Sequence, residues 1–280
     1  MTTQTFDDWC ANIPGLSRVA PGMWSGSDDR RVSFPDDGHA DLEVIEEQSY
    51  WFAHRNAVIT TVVSRFTQMG RILDIGGGNG FVSVALQRAG LESIVIEPGP
   101  TGAAVASRRG LPVIRAAFQD LDLPDGSVHA AGMFDVLEHI EDANGALKRL
   151  HRVIAPGGMV YIAVPAHSFL WSAQDDFGGH FRRYTVRRLQ SDLGAAGFEP
   201  LYGTYFFAAL VPAVFAFRTL PSLFGKRRGD DRERSAEEHR LPPTIAGRLV
   251  ARSLAWERDV ISRNGIVPTG TSCLVAARRD

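Results

Sequence analysis

RILDIGGGNG, residues 71–80, sets a short apolar run around Asp74 directly before four glycines in five positions. A short apolar run that stops at glycine reads as a buried strand. Glycine weakens helices and strands alike, so this density marks backbone that turns sharply or lets a ligand approach without a Cβ in the way. Behind the loop, Val82, Ala85, Leu86 and Ala89 recur at helical spacing. SIVIE at 93–97 then reads as a second strand, and it ends in an acid, Glu97.

The same rhythm extends outward. YWFAHRNAVITTVVSRF (50–66) is predicted as a helix before the first strand. Beyond Glu97 come a helix over 101–109 and strands at 112–116, 128–134 and 159–165. A helix over 141–154 is stopped by Pro156-Gly157-Gly158, and another is capped by Thr185 and ended by Gly197. Strand and helix in alternation imply a parallel sheet covered on both faces. Two further strands, 199–207 and 271–278, are separated by nearly sixty residues holding an apolar segment, a charged stretch (226–240) and a helix around 244–263. The expected organisation is an irregular arm at 1–48, a core at 49–207 and 271–280, and a helical cap at 208–270 inserted between the last two strands.

Strand, glycine loop, helix, strand and terminal acid in that order point to a nucleotide-type ligand beyond the carboxyl ends of the strands. No Gly-Lys-Ser/Thr follows, which excludes a phosphate-binding P-loop. The third glycine comes too early for a dinucleotide fingerprint, since Gly76, Gly78 and Gly80 read G-x-G-x-G. This spacing resembles motif I of the class I S-adenosylmethionine (SAM) dependent methyltransferases. IEP at 96–98, FQDLDLPDGS at 118–127, FDVLEHIED at 134–142 and LHRVIAPGGMVYIAVP at 150–165 extend the resemblance over roughly 50–200 plus the final strand. It implies a seven-stranded, mostly parallel, doubly wound α/β sheet of Rossmann-like type, with an antiparallel last strand. It also implies roles. Asp74 and the backbone of Gly76, Gly77, Gly78 and Gly80 hold the amino-acid end of SAM. Glu97 holds the ribose, with Pro98 near the adenine and Phe118 and Gln119 bordering it. Phe134 lies beside the sulfonium, and Arg55 reaches the carboxylate of SAM.

Three segments are candidates for the acceptor side. The loop 164–185 crowds His167, Asp175, Asp176, His180, Arg182, Arg183 and Tyr184 at the ligand end of the sheet. His180 beside an aspartate suits a base, as does His167, and an arginine suits a carboxylate or phosphate. LWSAQDDFGGHFRRYT within it is similar to a bacterial subgroup of these methyltransferases. Asp135, Glu138 and His139 follow the fourth strand; the Glu-His pair resembles one that helps hold a divalent cation in quinone-biosynthesis O-methyltransferases. It also occurs in metal-free relatives, where it packs against the fold, and packing is the expectation, with no metal. In that subgroup the helix from Tyr50 lies over the pocket, which implies Tyr50 or His54 facing the site and Trp51 lining it. Phe206, with Phe207, Phe215 and Phe217, suggests an apolar wall.

The chain has 280 residues, 30 basic and 32 acidic side chains and a net charge of -2. Nucleic-acid binders usually carry a basic excess, so none is expected as a partner. Cys10 and Cys273, its two cysteines, make neither a disulfide framework nor a metal-ligand spacing. The first residues carry acids and no apolar core, unlike a signal peptide, and a reducing, cytoplasmic setting is expected. The apolar run after Phe207 is broken by Pro212, Arg218 and Pro221, short of the roughly 18 residues of a membrane span. Peripheral membrane contact through 205–224 and a homodimer remain alternatives for it. The expected activity is biosynthetic methyl transfer from SAM to a small, partly apolar acceptor at O, N or C. A SAM-dependent cyclase and a SAM-binding scaffold are the competing readings.

Overall fold

The computed structural model describes residues 5–26, 46, 49–67, 70–223 and 244–280. The chain starts with a short helix, α1 (Phe6–Ala11), and a hairpin of β1 (Ser17–Ala20) and β2 (Met23–Ser25). Then follow α2 (Tyr50–Phe66), β3 (Arg71–Ile75), α3 (Phe81–Arg88), β4 (Glu92–Ile96), α4 (Pro100–Arg108) and β5 (Val113–Arg115). After these come β6 (Val128–Phe134), α5 (Ala143–Val153), β7 (Ile154–Pro165), α6 (Ala173–Phe177), α7 (Val186–Ala195), β8 (Phe198–Phe206), α8 (Ile245–Ser262) and β9 (Ser272–Arg279).

Among the described residues one sheet runs in the order β1-β2-β5-β4-β3-β6-β7-β9-β8. Strands β3 to β7 are parallel, while β9 lies antiparallel between β7 and β8. The order reverses between β3 and β6, so their carboxyl ends flank the crevice where such sheets bind ligands.

Alternation along the strands divides the core into two layers. Ile72 of β3 faces Val58, Ile59, Val62 and Val63 of α2 and Val82 and Leu86 of α3. Its neighbours Leu73 and Ile75 face the other way, into the layer that holds Leu147, Leu150 and Val153 of α5 and Leu189 and Leu193 of α7. Two caps fix helix starts: Ser49 accepts the N–H groups of Trp51 and Phe52, and Thr185 accepts that of Arg188.

Two features depart from the sequence expectation. The sheet has nine strands rather than seven, because part of the arm joins it: β2 pairs in parallel with β5, and Trp24 of β2 donates to Asp7 of α1 at 2.8 Å. The first part of the arm is therefore ordered rather than irregular. Strands of four and three residues carry no readable alternation and form because an open sheet edge offers hydrogen bonds. The rest of the arm, apart from Glu46, and the charged stretch 226–240 lie outside the described residues.

Among the described residues between β8 and β9 are a 3-10 turn (Ala208–Leu210), a helical run over 211–223 with a π segment at Phe215–Thr219, and α8. Glu257 of α8, fully buried, joins this part to the sheet by accepting the N–H groups of Phe207 at 2.8 Å and Ala208 at 2.7 Å. Among the described residues no helix is long and apolar enough to cross a membrane.

Candidate active site

The glycine loop is bound on both sides. The N–H of Gly76 donates to the carbonyl of Ile96 at the end of β4, 2.7 Å away. The Glu97 carboxylate accepts the N–H of Gly78 at 2.9 Å and that of Gly99 at 2.7 Å. Gly76, Gly78 and Gly80 have φ of 70°, 53° and 74°, where side chains are disfavoured. Space is tight as well. A Cβ on Gly76 would stand 2.7 Å from Val136, one on Gly77 2.9 Å from the Asp74 carboxyl, and one on Gly80 2.2 Å from Leu111.

Asp74 lies beneath the loop, fully buried, and accepts from the Ser83 hydroxyl at 2.6 Å; Ser83 also meets Ser93 at 2.8 Å. Burial pushes its carboxyl up to about 6, against the opposing hydrogen bond from Ser83. Arg109 closes the outer side: it donates to the Asn79 carbonyl at 2.8 Å and pairs with Glu46 at 3.0 Å. Glu46 and Arg109 were not legible as site residues, because their meeting depends on the path of the arm. Pro98 and Gln119 are half-buried. Phe118 is buried in a 3-10 turn (Phe118–Asp120) with the Arg149 guanidinium 5.7 Å from its ring.

Arg55 spans the gap between α2 and β6. It donates to the Phe134 carbonyl at 2.9 Å and pairs with Asp135 at 2.6 Å, and its guanidinium lies 5.7 Å from the Trp51 ring. The Phe134 ring itself is packed inward over Gly132, where an added Cβ would lie 2.2 Å from it. The carbonyl of Phe134, not its ring, is what meets Arg55. Asp135, His167 and Phe207 all have positive φ, at 59°, 60° and 63°. They follow β6, β7 and β8, so strained backbone collects at one end of the sheet.

At that end the loops after β6 and β7 meet. The N–H of Phe181 donates to the Glu138 carbonyl at 2.8 Å, and the rings of His139 and His180 stand edge to face with centroids 4.6 Å apart. His180 Nδ1 contacts Asp175 at 2.9 Å. Arg183 grips the same carboxylate from two nitrogens, at 2.7 and 2.9 Å. Burial alone would raise the Asp175 carboxyl, but the bonds from His180 and Arg183 outweigh it and hold it near 2. Burial, with His180 beside it, lowers His139 to about 4. Burial, with Asp135 near, pushes Glu138 well above the usual carboxylate range.

Several expected site residues have other work. His54 is buried with Nε2 on Glu257 at 2.9 Å and its ring against Phe207, so it ties α2 to α8. Phe206 is fully buried core rather than a wall of the pocket. Arg183 spends its donors on Asp175 and the Ala166 carbonyl, and Tyr184 is buried where its backbone bridges Ala166. Arg182 donates to the Glu141 carbonyl at 2.6 Å. Tyr50 and Trp51 are half-buried at the start of α2, and Trp51 stacks on Phe207 with centroids 5.3 Å apart. The half-buried ring of His167 stacks between Phe169 and Tyr205, and its Nε2 lies 3.4 Å from Thr269.

Residues 50–202 match a family described as a methyltransferase domain. An uncharacterised methyltransferase of Mycobacterium sp. (strain JLS) is 34% identical over 111 residues, which are 39% of this chain and 42% of that protein. A probable S-adenosylmethionine-dependent methyltransferase of Mycobacterium tuberculosis (strain CDC 1551 / Oshkosh) is 24% identical over 156 residues, 55% of this chain and 53% of the relative. The chain thus spans about half the length of the curated relatives it matches. Among solved structures, phosphoethanolamine N-methyltransferase 2 of Haemonchus contortus, in complex with S-adenosyl-L-methionine, aligns with a TM-score of 0.57 at 17% identity. The alignment covers 89% of this chain and 58% of that one, a likeness of fold.

Proposed function

The chain belongs to the methyltransferase-domain family, and on that premise we propose that it transfers a methyl group from SAM to a small, partly apolar acceptor. The observation that carries the reading is the Glu97 carboxylate holding the N–H of Gly78, which joins the acid after β4 to the glycine loop after β3. The residues suit the cofactor. Side chains are barred at Gly76, Gly77 and Gly80 by the spacing around them, so main chain alone faces the ligand there. A carboxylate accepts more than two donors, so Glu97 can serve the loop and a ribose together. Asp74, buried at the strand end, suits an ammonium group.

SAM supplies an electrophilic methyl on a sulfonium. What the chain contributes is alignment and the exclusion of water. Arg55, fixed by Asp135 and the Phe134 carbonyl, offers a cation between the glycine loop and the acceptor side. The loops after β6 and β7 supply Glu138, His139 and His180. The segment 208–270 acts as a cap that selects the acceptor. Its support is the apolar rim that Phe169 and Phe215 form, rings 6.3 Å apart, with Phe217 and Leu220 also exposed.

The test is incubation with SAM labelled on its methyl group and a panel of hydrophobic phenols, amines and acids. Labelled product with stoichiometric S-adenosylhomocysteine is expected. A rearranged product without label would favour a cyclase, and binding without turnover on any acceptor would favour a scaffold.

A further inference from the structure

Three side chains from two loops converge, and among the described residues the Glu138 carboxylate oxygens and the His139 Nδ1 have no hydrogen-bond partner. Glu138 is fully buried in the 3-10 turn Leu137–His139, and neither of its carboxylate oxygens is hydrogen-bonded among the described residues. The Nδ1 of His139 is buried and unpartnered too. His180 turns Nδ1 toward Asp175, which leaves Nε2 as its second nitrogen. One donor atom from each of the three lies within 4.8 Å of the others. A buried carboxylate with no donor and no cation is costly, and native proteins rarely leave one so.

We propose that Glu138, His139 and His180 bind a divalent transition-metal ion through one carboxylate oxygen and two imidazole nitrogens. Two imidazoles and a carboxylate suit zinc, iron(II), manganese or cobalt; magnesium and calcium take oxygen sets. Donors on one such ion, at about 2.0–2.2 Å from it, stand roughly 3–3.5 Å apart, a small closure from the spacing present. The surroundings are built for it. Asp175, itself clamped by Arg183 and by Ser172, fixes His180 so that Nε2 points away from the carboxylate. The Gly178 backbone hydrogen-bonds His139. A Cβ on Gly178 would lie 3.1 Å from His180 Nε2, so the glycine keeps that nitrogen approachable. Three protein ligands leave a coordination position open, at the same end of the sheet as the glycine loop. Asp135, three residues before Glu138, is engaged by Arg55. His180, from the other loop, supplies the third donor.

The inference stands independently of the cofactor reading, and one experiment separates them. The full chain is stripped with a chelator, titrated with Co2+ and followed by visible absorption, then challenged with Zn2+ and, separately, with Mg2+. About one Co2+ per chain is expected, displaced by Zn2+ and not by equimolar Mg2+. Glu138→Gln and His180→Ala should each weaken Co2+ binding at least tenfold while far-ultraviolet circular dichroism stays unchanged. Substoichiometric Co2+ binding by the stripped wild type, unchanged affinity in both variants, or displacement by equimolar Mg2+ would each overturn the site. SAM calorimetry on the same stripped protein gives the other arm. SAM binding without Co2+ binding removes the metal site alone, and Co2+ binding without SAM binding removes the cofactor reading alone.

Discussion

The Glu97 carboxylate holds the N–H of Gly78 at 2.9 Å, so the acid after β4 and the glycine loop after β3 act as one unit. Glu97→Ala should therefore weaken SAM binding twice over, by removing a charged acceptor and by releasing the loop. Hydrogen bonds to charged groups contribute about 1.5–3 kcal/mol, so a loss of roughly 10- to 100-fold in affinity is expected by calorimetry. Wild-type affinity in that variant would take Glu97 out of the pocket.

Gly80 and Gly110 have similar φ, 74° and 78°, but a Cβ meets Leu111 at 2.2 Å in the first case and nothing within 4 Å in the second. Gly110→Ala should cost only the left-handed backbone, about 1–2 kcal/mol. Gly80→Ala adds crowding, typically about 1–3 kcal/mol more. Urea melts of the two variants should differ by that second amount, and equal melts would show that Leu111 yields freely.

Asp74 gives a pH signature. Its folded carboxyl titrates near 6, above the usual aspartate value of about 3.9. The folded apo protein therefore binds an extra proton between these values, and its stability falls as pH rises through them. A cationic ligand group seated on Asp74 favours the ionised form, so SAM binding should expel that proton. Affinity should climb with pH by up to about tenfold per unit below 6 and flatten above 7. A pH-independent affinity, with no proton release between buffers of different ionisation heat, would place the ammonium elsewhere.

Asp175 has the opposite sign. Its folded carboxyl is held near 2 by His180 and Arg183, below its unfolded value. The stability it contributes is fully present above about pH 4 and is lost as pH falls toward 2. Asp175→Asn should lose about 3–5 kcal/mol at neutral pH, because Arg183 and His180 are left without their acceptor. It should also flatten the acid limb of the stability profile, and an unchanged acid limb would assign it to other carboxylates.

His180→Ala should lower turnover far more than SAM affinity, since His180 sits with Glu138 and His139 beyond β6 while the cofactor contacts lie at β3 and β4. Wild-type turnover would remove it from the chemistry.

What was legible in the sequence follows the range of each interaction. The strand at 71–75, its glycines and Glu97 are local signals, and their relation is fixed by parallel neighbours β3 and β4. The faces of α2 were not legible. His54, Arg55 and Asn56 are consecutive and all buried, so helical spacing alone does not say which reaches the site. Glu257 and Arg258, 203 and 204 positions later, identify His54 as a tie to α8. The same holds for His180, whose partners Glu138 and His139 come from a different loop, and for Phe206, whose ring packs against His54 of α2 and against Phe207. Hydrophobicity marked Phe206 as important without saying whether it faces ligand or core.

The most direct measurement is a crystal structure of the chain grown with S-adenosylhomocysteine. The expected density lies at the carboxyl ends of β3 and β4, with the ribose hydroxyls within hydrogen-bond distance of Glu97 and the main chain of Gly76–Gly80 against the homocysteine. A nucleoside bound elsewhere, with Glu97 touching only the N–H groups of Gly78 and Gly99, would contradict it.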